Sequence, residues 1–115
     1  MKKKHILLIE NGQNEVEFFT DALEKSKLDF LCSTARSREQ AIRILKNAVP
    51  DIIFFDVRVA MNEDMDFLNQ LKDHQKIPVV MYSTVSDHDE KKHVNYFRLP
   101  QSAQTMAKLL LHLLN

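Results

Sequence analysis

A chain of 115 residues and 13.5 kDa has room for one core, and its 16 basic side chains are balanced by 16 acidic ones. That balance excludes the basic stripe of a nucleic-acid binder, and the only cationic run, Lys2-Lys3-Lys4, is too short to serve alone as a membrane or DNA patch. The single cysteine, Cys32, excludes an internal disulfide and a cysteine-built metal framework, while the single glycine, Gly12, excludes a glycine-rich phosphate loop.

The lysines at the N-terminus lead into Ile6-Leu7-Leu8-Ile9, which stops at Glu10 and is far shorter than the ~7–15 apolar residues of a signal segment. No run approaches the ~20 apolar residues of a membrane span, so the expectation is a cytoplasmic protein. This first run instead reads as a strand buried on both faces, and so do 52–55 and 79–82. Weaker strand signals lie at 30–34 and 96–99. Helical spacing joins Val16, Phe19, Ala22 and Leu23 after Asn14, the expected N-cap. Ala41, Ile42 and Leu45 follow Ser37 and Gln40, a capping-box pair. Phe67, Leu68 and Leu71 mark a third helix, and Met106, Leu109, Leu110, Leu113 and Leu114 mark a last one capped by Ser102. Only the polar stretch 86–94 separates the fourth and fifth strands, which leaves about two turns for a helix there. Alternating strands and helices predict one α/β domain over 1–115, a doubly wound parallel sheet of five strands. Helices cover both faces, and the fourth is short.

In such a sheet, ligands collect outside the carboxyl ends of the strands where the strand order reverses. The first strand ends in Glu10-Asn11, the third in Asp56 and the fourth in Ser83-Thr84. Glu10 and Asp56, brought together there, would repel unless a cation or a raised pKa relieves them. Magnesium is the natural cation, because it takes one or two carboxylates, keeps waters and favours phosphate oxygens. Taken alone, each residue also has a plainer reading. Asp56 could cap the next turn, Glu10 could be a solvated loop acid, and Ser83 could bond local backbone.

Four segments in order resemble the receiver domain of bacterial two-component response regulators. They are Ile6-Leu7-Leu8-Ile9-Glu10-Asn11, Pro50-Asp51-Ile52-Ile53-Phe54-Phe55-Asp56, Ile77-Pro78-Val79-Val80-Met81-Tyr82-Ser83-Thr84 and Tyr96-Phe97-Arg98-Leu99-Pro100. The resemblance implies a flavodoxin-like sheet with the strands in the order 2-1-3-4-5, and that Asp56 accepts a phosphoryl group from a histidine kinase or phosphotransfer protein. It implies that Glu10, Asn11, Asp56 and the backbone carbonyl of Arg58 hold magnesium, that Ser83 contacts the phosphoryl group, and that Tyr96 is the aromatic switch. The signal would pass by contact to a separate downstream protein, with no nucleic acid and no membrane involved.

Two departures stand out. Asn11 replaces a second acidic residue, and Leu99 occupies the position of the family's lysine. A charge-assisted hydrogen bond of the kind that lysine makes contributes roughly 1.5–3 kcal/mol, so its loss would weaken coupling between phosphorylation and conformation. They also support an alternative, a phosphorylation-independent pseudo-receiver acting as a protein interaction module. An enzyme is not expected, because Arg58 stands where a dehalogenase-like phosphatase needs a second aspartate. His88 and His93 are off the spacing of a helical zinc pair, and Cys32 reads as a small buried hydrophobe. The leucines of the last helix are mostly core, with Leu111 on another face that leaves room for a partner or homodimer contact.

Overall fold

A computed structural model of the chain describes residues 3–56, 77–83, 97–100 and 102–114. Its elements follow in the order β1 (Lys4–Ile9), α1 (Gln13–Ser26), β2 (Phe30–Ala35), α2 (Arg38–Asn47), β3 (Ile52–Asp56), β4 (Val79–Ser83), β5 (Phe97–Arg98) and α3 (Ala103–Leu114). The strands lie in the order β2-β1-β3-β4-β5, each parallel to its neighbour. The helices expected around Phe67 and over 86–94 fall outside the described residues.

The aliphatic runs form the middle of the sheet because both of their faces are covered. Ile6 through Ile9 on β1 and all five residues of β3 are buried. β2 lies at the edge, where only Ala35 is fully buried and Leu31 is 55 % exposed. Successive side chains alternate between two cores. On one side Leu7, Ile9, Ala35, Ile53, Phe55 and Met81 pack with Ala41, Ile42, Ile44 and Leu45 of α2. On the other, Ile6, Leu8, Ile52, Phe54 and Tyr82 pack with Phe19, Ala22 and Leu23 of α1 and with Met106, Leu110 and Leu114 of α3. Each fully buried side chain of this size stabilises the fold by roughly 1.5–3 kcal/mol.

The helix ends follow local chemistry. Ser37 caps α2 by accepting the Gln40 N–H at 3.2 Å, while the Gln40 side chain accepts the Arg36 N–H at 2.6 Å, one residue before the usual capping-box donor. Ser102 accepts the Thr105 N–H at 3.1 Å at the start of α3. Asn14 is not the cap of α1. The helix starts two residues earlier than that cap predicts, at Gln13, and its N-cap is Gly12, whose own N–H is taken by the Glu10 carboxyl at 3.0 Å. α1 ends at Lys27, in the left-handed region at φ 61°, with its N–H bonded to the Glu24 carbonyl. Cys32 is half-buried at the edge rather than enclosed, and burial still pushes its thiol pKa up. Leu110 and Leu114 are core, Leu111 is half-buried, and Leu113 faces outward.

Candidate functional site

The strand register builds the site. Ile9 lies opposite Phe55 and Tyr82 lies opposite Asp56, so Glu10, Asp56 and Tyr82 stand at the carboxyl ends of β1, β3 and β4. Alternation puts all three on the face covered by α1 and α3, because Leu8, Phe54 and Val80, two residues earlier in each strand, belong to that core. Glu10, Asp56 and Tyr82 have no exposed surface. They are the polar end of an otherwise apolar cluster.

Glu10 is held from two sides. The Tyr82 hydroxyl donates to Oε1, and the Gly12 N–H donates to Oε2 at 3.0 Å. Its carboxyl also shares a hydrogen bond with Asp56. Burial pushes the Glu10 pKa up to about 7, the bonds from Tyr82 and Gly12 oppose that rise, and the neighbouring Asp56 charge adds to it. Burial, reinforced by the bond to Glu10, drives the Tyr82 hydroxyl far above the usual phenol range, so it stays a neutral donor. The Tyr82 ring is fixed by Phe19, with centroids 5.0 Å apart and planes tilted by 54°.

Asn11 lies exposed at the rim beyond Glu10. Arg36, at the end of β2, ties that rim together by donating to Gln13 Oε1 at 2.7 Å and to the Asn11 carbonyl at 3.5 Å. Gly12 leaves space here rather than supplying a special φ, which is −94°. A Cβ on it would stand 2.0 Å from Glu15 Oε1 and 3.2 Å from Glu10 Oε2. Ser83 ends β4 beside Arg98 of β5 by backbone register. Arg58 and Tyr96 lie outside the described residues. Leu99 packs, half-buried, against the same cluster as Tyr82.

Of the expected site residues, Glu10 and Asp56 come together and Asn11 borders them. Tyr82, Arg36 and the Gly12 N–H were not anticipated. The signal for Tyr82 was a hydroxyl inside a buried apolar strand, which has to find a partner. Two adjacent buried carboxyls form a hard oxygen donor set, and that chemistry fits a magnesium-like cation. Among the described residues no group of three or more His, Cys, Asp and Glu is placed to hold a metal, and these residues offer the pair Glu10 and Asp56. No helix among the described residues is long and apolar enough to cross a membrane.

An α/β sheet of flavodoxin-like topology with paired carboxyls at its switch point defines the class. The response regulator receiver domain model matches residues 6–98, and the chain belongs to that family, the receiver domains of two-component response regulators. It is 29% identical over 86 residues, 75% of its length, to protein-glutamate methylesterase/protein-glutamine glutaminase 2 of Rhizobium johnstonii. The chain spans about a quarter of the length of the curated relatives it matches. A response regulator from Thermotoga maritima superposes with a TM-score of 0.76 at 16% identity, covering 96% of this chain and 97% of that one. The manganese-bound form of response regulator Rcp1 gives a TM-score of 0.69 at 21% identity, covering 96% and 91%.

Proposed function

We propose that residues 1–115 act as one receiver unit, with the short fourth helix of the doubly wound fold lying over 86–94, and that Asp56 is the phosphoryl acceptor. The observation that carries this is the side-by-side burial of Asp56 and Glu10 at the ends of neighbouring strands. A carboxylate oxygen of Asp56 would attack the phosphorus of a phosphohistidine on a histidine kinase or phosphotransfer protein. The new bond is P–O, the bond lost is P–N, and the imidazole leaves. Glu10, Asn11, Asp56 and the Arg58 carbonyl are the residues that would hold magnesium, which supplies neutralising charge to the phosphoryl oxygens when bound. Support for the cation comes from the hard donor set and from the manganese-bound relative.

Within this pocket Glu10 orients the approach to Asp56, Ser83 would hydrogen-bond a phosphoryl oxygen, and Tyr96 would report that bond to the surface. The output would be contact with a separate protein in the cytoplasm. The esterase and glutaminase activities of the curated relatives are not carried over, since the match covers only about a quarter of each. The test is an amide NMR titration with magnesium and then beryllofluoride, with Asp56→Asn as control. Saturable shifts at Glu10, Asp56 and Ser83 that spread to Tyr96 and vanish in the control are expected. No response at millimolar magnesium and excess mimic would leave only the phosphorylation-independent interaction module.

A further inference from the structure

We propose that Tyr82 is a positioning residue of the acidic pocket, holding the Glu10 carboxyl in place beside Asp56. Tyr82 belongs to β4 and Glu10 follows β1, with β3 between them, so the two side chains together span about two strand spacings, on the order of 9–10 Å. They meet on the face that also carries Asp56, the register partner of Tyr82, where the Tyr82 hydroxyl donates to Glu10 Oε1. The other carboxyl oxygen is taken by the Gly12 N–H at 3.0 Å. Two donors from two directions leave the carboxyl no free rotation about its last bond. Each carboxylate oxygen accepts more than one hydrogen bond, so the group keeps lone pairs for a cation while it is held.

The surroundings make the tyrosine a deliberate choice of donor. The Glu10 side chain has no exposed surface, and a buried carboxyl without donors is costly. Leu99, the residue at the lysine position of the resemblance, packs into the same cluster as an alkyl side chain and offers no hydrogen. Tyr82 supplies a neutral hydroxyl from β4 instead, and the Phe19 ring 5.0 Å away keeps it aimed. Because Ser83 follows Tyr82 directly, any movement at the end of β4 also pulls on the group that holds Glu10. This inference rests on the phosphoryl-acceptor reading for its functional meaning, but the holding of Glu10 is measurable by itself.

The test is Tyr82→Phe, which removes one oxygen and leaves the ring on Phe19. Thermal unfolding first establishes that the variant is folded. If it is not, Glu10→Gln, whose one amide oxygen can accept the Gly12 N–H while its NH2 donates to the Tyr82 hydroxyl oxygen, is compared with Glu10→Ala in the same measurements. In the absence of metal, amide hydrogen exchange at Gly12 should speed up at least tenfold in Tyr82→Phe, or in Glu10→Ala but not Glu10→Gln, because Gly12 N–H loses its fixed acceptor. Magnesium titrated into the full chain should bind about tenfold more weakly to Tyr82→Phe than to the wild type. A Gly12 amide that exchanges at the wild-type rate in the folded variant overturns the proposal, and so does unchanged magnesium affinity. If the wild type itself binds no magnesium while Gly12 still loosens, the positioning role stands and the phosphoryl-acceptor reading falls.

Discussion

Asp51 and His5 exchange two hydrogen bonds across the start of the sheet. The Asp51 carboxylate accepts the His5 N–H at 2.7 Å, and the Asp51 N–H donates to the His5 carbonyl at 2.7 Å. The closed ring pins the residue after Pro50 to β1 and sets the register in which Ile6 meets Ile52. That register is what later brings Asp56 level with the end of β1. Asp51→Ala keeps the backbone bond and loses the side-chain one. The expected cost is about 1 kcal/mol, read as a drop of several degrees in the midpoint of thermal unfolding, with Asp51→Asn recovering part of it.

Gly12→Ala separates stability from site geometry. The backbone there is extended, at φ −94°, and any residue can adopt it. The nearest clash, with Glu15 Oε1 at 2.0 Å, is relieved by swinging a flexible side-chain end away. Glu10 Oε2, at 3.2 Å from the new methyl, is clamped and has to give by a few tenths of an ångström. Stability should therefore change by less than about 1 kcal/mol in a urea titration, while magnesium affinity falls severalfold. A variant that loses stability and keeps its affinity would contradict this account.

Glu10 gives the metal-free protein a pH dependence with a definite sign. Its pKa is raised from 4.5 to about 7 in the folded chain, chiefly by burial. Between those values the folded state keeps a proton that the unfolded chain has released. The stabilisation is complete below pH 4.5 and is lost as pH rises through about 7. Urea unfolding in chelator should show the wild type losing on the order of 1–3 kcal/mol from pH 5 to pH 7.5, relative to Glu10→Gln. Parallel pH profiles for the two proteins would remove burial as the controlling effect.

Leu99→Lys tests what the missing cation does. The four-carbon stem of lysine can cover the apolar surface that Leu99 covers now, while its ammonium turns toward water or the carboxyls. The change in stability should stay within about 1 kcal/mol. Beryllofluoride binding, followed by NMR, should tighten about tenfold, since a charge-assisted hydrogen bond to the mimic is restored. Unchanged binding would mean that position 99 does not face the phosphoryl site.

Strands β1, β3 and β4 were legible because continuous aliphatic runs have few other uses in a small domain. The caps at Ser37 and Ser102 were legible for a similar reason, as hydroxyls standing just ahead of apolar periodicity. The start of α1 was misread because the turn after β1 is fixed by a local bond. Glu10 takes the Gly12 N–H two residues on, which sets the backbone entering α1 ahead of Asn14. Glu10 and Asp56 could be paired once the first and third strands are taken as neighbours. Tyr82 could not, because spacing along a strand says nothing about how far a ring reaches across its neighbour. Arg36 was missed for the same reason, since its partners Asn11 and Gln13 are distant in sequence.

Among the described residues, the backbone of the sheet is a partition whose buried polar end hangs on one side. Glu10, Asp56 and Tyr82 hang from the wall that Phe19, Met106 and Leu110 lean on, and Ala41, Ile42 and Leu45 lie behind it. A change of charge at the carboxyls therefore has unequal neighbours. Toward α1 and α3 it meets aromatic and leucine side chains directly, through Tyr82. Toward α2, the described residues on the far side of the sheet are the aliphatic cluster of Leu7, Ile9, Ala41 and Ile42. The two halves of this small molecule hear the same event at different volumes.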